Sequence, residues 1–398
     1  MALPHDSAAS PQRAPDIGAL LRDTRFLQAL AQGIFVLLVL LLTRWLIGNL
    51  TANLGAQGLD LSFGFMRRTS GFVVGEGIPS NRTDPFYYQY VVGLVNTLRV
   101  VGLGLILATI LGILAGVAML STNWLLRSLV QAYVELIRNT PLLVQLFFLY
   151  FGIILTLPGL ADRITLGPVV LSNRGFFIPR PVPHVGFPAW ATVSALALLI
   201  GVYTYQRRLQ IRVRTGAETR PTIWAAGLII GVPLLAWFIL PGQPLRLEMP
   251  ELEGLRLTGG LRLTPEFAGI LFGLVLYTAA FIADIVRSGI LAVSHGQREA
   301  ALALGLTSTQ TLRLIILPQA LRVIIPPMTN QYLNLAKNSS LAIGVAFPDL
   351  YSVSQTIFNQ SGQAVQMIAL MMGTYLIMSL IISAIMNAVN ARLQIVER

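Results

Sequence analysis

The chain has 398 residues, 55% of them hydrophobic and only 11% charged, and its mean hydropathy is +0.70. Soluble domains carry about a quarter charged residues, so this composition excludes a water-facing globule, and it is too apolar for a disordered chain. Cysteine is absent, which removes disulfides and thiolate chemistry, and the three histidines (His5, His184, His295) lack metal-ligand spacing. The net charge of +11 comes from 28 basic residues, all arginine except Lys337, against 17 acidic ones. These charges punctuate apolar runs and do not gather on a polar domain, which points to membrane topology and away from nucleic acid.

A helix crossing about 30 Å of hydrocarbon needs roughly 20 apolar residues. Uncharged runs cover 26–43, 100–126, 139–161, 181–206, 221–245 and 267–283, the last continuing past Asp284 and Arg287. A further run over 323–348 is interrupted only by Lys337, and the uncharged run 350–391 is too polar for lipid in its first half. The reading is an all-α integral membrane protein with about eight transmembrane helices, near 27–47, 90–119, 138–157, 188–205, 221–240, 266–293, 323–346 and 366–390. Barrel strands would alternate polar and apolar residues, and these blocks do not. Gly102, Gly104, Gly112 and Gly116 fit close helix packing of the small-xxx-small type. The first run follows 25 polar, Pro-containing residues and lacks a small-x-small cleavage site, so it reads as a retained helix and not a signal peptide.

Orientation follows from Lys and Arg. The 206–220 connector carries Arg207, Arg208, Arg212, Arg214 and Arg220 against Glu218 alone. Placing it in the cytoplasm puts both termini inside, with 16 basic residues on that side, 11 outside and Lys337 within a span.

Between the sixth and seventh spans, Glu299 to Leu304 is strong helix-forming sequence. Gly305 suits the C′ position, and Thr307-Ser-Thr309 can cap a second helix from about Thr309, with Pro318 at the bend. The face around Ala300, Ala301 and Leu304 is small and smooth, fit for a groove on another protein. Glu299 sits where the helix dipole favours an acid.

Glu299-Ala-Ala, then Gly305, then Ile315-x-Leu317-Pro318 resembles the EAA loop of permease subunits in bacterial ABC importers. Pro318-Gln-Ala-Leu-Arg322, Ile325-Pro-Pro327, Asn330-Gln331, Lys337-Asn-Ser-Ser-Leu341, Glu135-Leu-Ile-Arg-Asn-Thr-Pro-Leu-Leu-Val-Gln145 and Asn96-Thr-Leu98 resemble the polar amino acid importer (histidine/glutamine-type) permeases. The resemblance covers about 90–157 and 266–392 and implies a type I ABC importer permease core of five spans. The chain divides accordingly. Residues 1–89 form an N-terminal tail, an extra first span and an outer loop. Residues 90–157 are the first part of the core, 158–265 an insertion with two extra spans, and 266–398 the second part, with the coupling loop at about 295–318. Such enlargement is similar to the general L-amino-acid permeases.

The resemblance implies that Glu299, Ala300, Ala301 and Gly305, with Leu317 and Pro318, couple the spans to cytoplasmic ATP-binding subunits. It also implies a second permease subunit, identical or homologous, a periplasmic amino-acid-binding protein, an amino acid substrate, and a place in the bacterial inner membrane. A Gly-rich phosphate-cradling loop ending in Lys-Ser/Thr is missing, and no connector is large enough for a nucleotide-binding fold. ATP and Mg therefore belong to a partner subunit, and this chain is expected to be no enzyme, with neither catalytic nor metal-binding residues.

Charges within spans are functional candidates. Asp284 and Arg287 lie one turn apart and could pair; Lys337 is followed by Asn338, Ser339 and Ser340. The competing readings are a snorkelling Arg287 and a Lys337 that serves as an internal tie. Glu135 and Arg138, at the cytoplasmic start of span three, suit a structural or gating role better than substrate contact. The stretch from Arg246 to Arg262 reads as a small outer hairpin, structural first and a docking platform second. Two rival classes fit the sequence less well. An ion- or proton-coupled secondary transporter predicts matching broken helices in two halves, and no internal repeat is present. A membrane-embedded enzyme needs a catalytic constellation, and none occurs in the spans.

Overall fold

The computed structural model describes residues 24–56, 62–254 and 256–393. The expected positions of the two termini lie outside these residues. The helices in chain order are α1 (Thr24–Ala56), α2 (Phe86–Ala118), α3 (Trp124–Arg138) and α4 (Leu142–Phe147, continued by a π-turn over Phe148–Ile154). Strands β1 (Ile164–Leu166), β2 (Val169–Ser172), β3 (Gly175–Ile178) and β4 (Arg180–Pro183) come next. The helical hairpin that follows is α5 (Phe187–Thr215), then α6 (Pro221–Ala226) and α7 (Val232–Ile239) joined by a π-turn. Strands β5 (Leu245–Glu248), β6 (Glu251–Glu253), β7 (Arg256–Thr258) and β8 (Leu261–Leu263) precede α8 (Pro265–Leu291). The chain ends in α9 (His295–Ala303), α10 (Ser308–Thr311), α11 (Leu317–Asn338), α12 (Leu350–Ser361) and α13 (Ala364–Leu393).

Among the described residues, seven helices are long and apolar enough to cross a membrane, or eight if the bent pair α3 and α4 counts as one crossing. The helical membrane reading therefore holds, with short strands added between spans. The third span departs from the expected 138–157. Pro141 cannot continue a helix and disfavours helical backbone before it, so the chain turns by 110° between α3 and α4. Helix α3 carries Arg127, Gln131, Glu135 and Arg138 as one polar stripe among apolar neighbours, the pattern of a helix lying in a membrane interface. The Gln145 amide closes the corner, donating to the carbonyls of Ile137 (2.8 Å) and Thr140 (3.0 Å) that the break leaves open.

The strands gather at one end of the spans. β1, β2, β3 and β8 form an antiparallel sheet, and β4 pairs with β5 and β6 with β7. A small hairpin, β6 with β7, does lie within the expected 246–262, but it takes up only the middle of that stretch. Turns with positive φ at Gly254, Gly259 and Gly260 divide the stretch into separate strands, and two of them pair with strands from before α5.

The core is built on α2 and α8. A Cβ added to Gly112 would lie 2.6 Å from Ile282 Cβ and 3.0 Å from the Ala279 carbonyl; one at Gly116 would lie 2.7 Å from the Ala283 carbonyl. The two backbones are in contact because side chains are missing there. Gly289 admits Ile324 of α11 in the same way, and Gly104 faces Leu335. Gly102, grouped with these on spacing, faces open space. Gln89 on α2 fixes the preceding loop, donating to the carbonyls of Phe72 and Asn81 at 3.0 Å each.

Gly112→Ala is expected to cost about 1–3 kcal/mol through overpacking, whereas Gly102→Ala leaves stability unchanged or slightly higher. Thermal unfolding of the purified protein in detergent measures both; equal effects would contradict the packing described.

Candidate functional site

The segment leaving α8 is a short helix on a strict stop. Gly305, at φ +81°, ends α9 in the left-handed region where a side chain is strained. The Leu306 N–H donates to the Ala301 carbonyl (3.1 Å) and the Gly305 N–H to the Leu302 carbonyl (2.9 Å), which is the Schellman closure. Thr307 then opens α10 through a capping box with Gln310. Helix α10 begins at Ser308, and Ser308–Val345 runs as one candidate span through Pro318, without the break expected there. A π-turn over Leu312–Ile316 leads into α11 and accommodates the ring and the missing N–H of Pro318. Glu299, beside His295 at 3.1 Å, is exposed, as are Ala300, Ala303 and Leu304 (82% exposed). Ala301 is 3% exposed and turned inward, which corrects its place on the presented face. Leu317 is 41% exposed. Gln319 donates to Gln297 at 3.5 Å, joining α9 to α11.

The expected pair of Asp284 with Arg287 does not form. Asp284 Oδ2 instead accepts from Arg138 Nη1 at 2.7 Å, and that guanidinium stands 5.4 Å over the Phe281 ring. This contact pins the corner between α3 and α4 to α8. Arg287 is half-buried with no carboxylate partner among the described residues, and Glu135 is exposed.

Lys337 lies in the last turn of α11, and a 3-10 segment, Ser339–Val345, continues the span. Its depth follows from Leu335, which packs on Gly104 near the midpoint of α2. At that depth Lys337 is exposed on the surface of the chain and has no ion pair among the described residues. Asn330 and Asn334 are exposed on the same helix face, at i, i+4 and i+7 with Lys337. The sequence reading used Asn330 only as part of a family motif and gave neither asparagine a pathway role; their helical spacing with the lysine inside an apolar span was the available signal. Ser339 and Ser340 are corrected as free polar groups, because their hydroxyls bond to the carbonyls of Ala336 and Lys337 at 2.8 Å each. Asn338 is half-buried.

At the opposite end from α9, Asn96 donates to the Pro348 carbonyl (2.9 Å) and Thr97 accepts from the Leu350 N–H (2.8 Å). Asp349 caps α12 through the Ser352 N–H (2.8 Å). Burial pushes its carboxyl up to about 7, with the capping N–H groups pulling the other way. Among the described residues no group of three acidic or histidine side chains is placed to hold a metal ion.

Residues 219–395 match the family described as binding-protein-dependent transport system inner membrane component. The putative amino-acid ABC transporter permease protein YhdX of Escherichia coli is 45% identical over 93% of this chain and 94% of its own length. The general L-amino acid transport system permease protein AapQ of Rhizobium johnstonii is 41% identical over 89% of each chain. The glutamate/glutamine/aspartate/asparagine transport system permease protein BztB of Rhodobacter capsulatus is 40% identical over 98% of this chain and 99% of its own. The chain belongs to this family of ABC importer permeases. The permease is a multi-pass membrane protein and a transport component, not an enzyme. A permease of this family works with an ATP-binding subunit, a substrate-binding protein and a partner permease.

If the Arg138–Asp284 contact holds the corner of the permease, Asp284→Arg should lower its stability in detergent by about 0.5–1 kcal/mol. Combining it with Arg138→Asp should recover most of that loss. A double variant no better than the sum of the singles would remove the pair as a tie.

Proposed function

We propose that this permease imports amino acids across the bacterial inner membrane, taking them from a periplasmic amino-acid-binding protein. The observation that carries the proposal is one continuous path through the chain: an exposed small-residue helix, α9, links α8 through α10 to α11, and α11 exposes Asn330, Asn334 and Lys337 at mid-depth. In this reading α9 and the connectors at 206–220 and 119–123 face the cytoplasm with both termini. Residues 90–157 and 266–398 form the permease core, 1–89 supply the extra first span with its outer loop, and 158–265 are an insertion carrying the strands.

Glu299, Ala300 and Leu304 meet a separate cytoplasmic subunit that binds ATP and Mg. Gly305 sets the angle at which α9 is presented, Ala301 seats that helix on α10, and Leu317 and Pro318 carry its displacement into α11. The polar face of α11 opposes a second permease, identical or homologous, around a shared aqueous pathway. A lysine at the bilayer centre costs at least about 3 kcal/mol when left in hydrocarbon, so water, substrate or a partner must cover it. Lys337 suits the substrate carboxylate, with Asn330, Asn334 and Asn338 as uncharged hydrogen-bonding groups. Arg138, Asp284, Glu135 and Arg287 sit at the cytoplasmic end and gate; Ser339 and Ser340 shape the helix end. The amino acid substrates named for AapQ and BztB support this substrate class.

The test is transport by the complete complex in proteoliposomes. Gly305→Val should abolish substrate-stimulated ATP hydrolysis while leaving a folded, inserted permease. Lys337→Met should weaken apparent substrate affinity about tenfold or more, the value of one charge-assisted hydrogen bond. Normal coupling in the first variant would exclude α9 as the contact, and unchanged affinity in the second would remove Lys337 from the pathway. Uptake that survives without ATP and collapses with an uncoupler would replace the importer reading with an ion-coupled one.

A further inference from the structure

The hairpin of α5, α6 and α7 packs chiefly on itself, and its purpose is not explained by coupling or by the pathway. Helix α5 has 29 residues, roughly 43 Å at 1.5 Å per residue, against about 30 Å of hydrocarbon. Its surplus length is the charged end. Arg207, Arg208, Arg212 and Arg214 lie in its last three turns, and Arg220 follows in the connector, against Glu218 alone. The side of the membrane follows from connectivity. Helices α5 and α8 both leave the strand layer, from β4 and β8 respectively, so the arginine end of α5 emerges on the same side as α9.

No arginine of this connector takes part in an ion pair among the described residues. Arg208 is fixed otherwise. It donates to the Thr219 carbonyl at 3.0 Å, accepts the Thr219 hydroxyl on its own carbonyl at 2.8 Å, and stacks 4.5 Å from the Trp224 ring. The turn so held encloses, with α5, a cleft of about 360 Å³ lined by Tyr203, Thr204, Arg207, Arg208, Ile211 and Thr219. Arg207, Ile211 and Arg214 recur along that face at helical spacing. Beside the cleft, where Arg208 stacks on it, stands the exposed ring of Trp224, and its neighbour Ile223 in α6 is exposed as well. A site with uncompensated positive charge at its mouth and an apolar flank continuing into the bilayer is matched to a ligand with an anionic head and acyl tails.

We infer that the cytoplasmic end of the α5–α6 hairpin binds an anionic phospholipid, its phosphate held at this cleft by Arg207 and Arg208, with Arg212 and Arg214 adding positive charge in the next turn of α5. An acidic protein surface would satisfy the charges, but it would leave the apolar flank at the hydrocarbon edge unexplained.

The experiment is native mass spectrometry of the complete complex purified in detergent with equal phosphatidylglycerol and phosphatidylcholine. The wild type should retain phosphatidylglycerol selectively. Arg207→Gln, Arg212→Gln and Arg214→Gln combined should weaken that retention on the order of a hundredfold, roughly fivefold for each charge. Arg174→Gln, an exposed arginine in the strand layer, should change nothing. If the triple variant inserts poorly, Arg214→Gln alone carries the test, with a loss of about fivefold. Unchanged selectivity in these variants, or an equal loss with Arg174→Gln, would overturn the inference. So would a triple variant that keeps phosphatidylglycerol but sheds the ATP-binding subunit, since the arginines would then serve a protein contact.

Discussion

The contact between α2 and α8 is the constraint on which the rest depends. In hydrocarbon there is little hydrophobic gain in bringing two apolar helices together, so association relies on dispersion and close backbone approach. Gly112 and Gly116 let α2 reach the carbonyls of Ala279 and Ala283 directly. That seam fixes α8, and α8 carries the strand layer at one end and α9 at the other. Helix α11 is locked to the same body from both sides, through Ile324 on Gly289 and Leu335 on Gly104. A push on α9 therefore acts on a packed block of helices and is not lost in side-chain rearrangement.

What the block leaves uncovered is as informative as what it buries. Helix α11 places Asn330, Asn334 and Lys337 on its free face halfway through the membrane, where lipid would be a costly neighbour. Among the described residues nothing covers that face. In the assembly proposed above, the polar stripe of one permease and its counterpart would enclose water and solute. Prolines 326 and 327 lie one turn before the stripe, leaving the carbonyls of Arg322 and Val323 without helical N–H partners and the helix locally softer.

Features set by neighbours in the chain were legible in the sequence. The spans followed from their length and apolarity, and Gly305 was assigned its capping position because a helix stop is a local matter. The Schellman closure bore that out. Long-range choices were not legible. Asp284 has an arginine one turn away, yet it takes Arg138, 146 positions distant, and no periodicity encodes that preference. Ala301 looked like its neighbour Ala300 because alanine carries no mark of which face it occupies. Apart from the hairpin read within 246–262, the strands escaped because they are three or four residues long, and the pairs β3–β8 and β4–β5 form across the intervening helical hairpin. The corner at Pro141 was readable from the proline itself, and reading the apolar run as one continuous span obscured it.

The central claim is that α9 is the contact through which a nucleotide-driven subunit moves this permease. The absence of native cysteine allows a direct measurement: single cysteines at Ala300 or Leu304, cross-linked in the assembled complex with and without ATP. The account predicts cross-links from both positions to the ATP-binding subunit, with yields that change on nucleotide binding. Labelling of these cysteines by a membrane-impermeant reagent from the exterior of intact cells, or cross-links confined to other proteins, would contradict it.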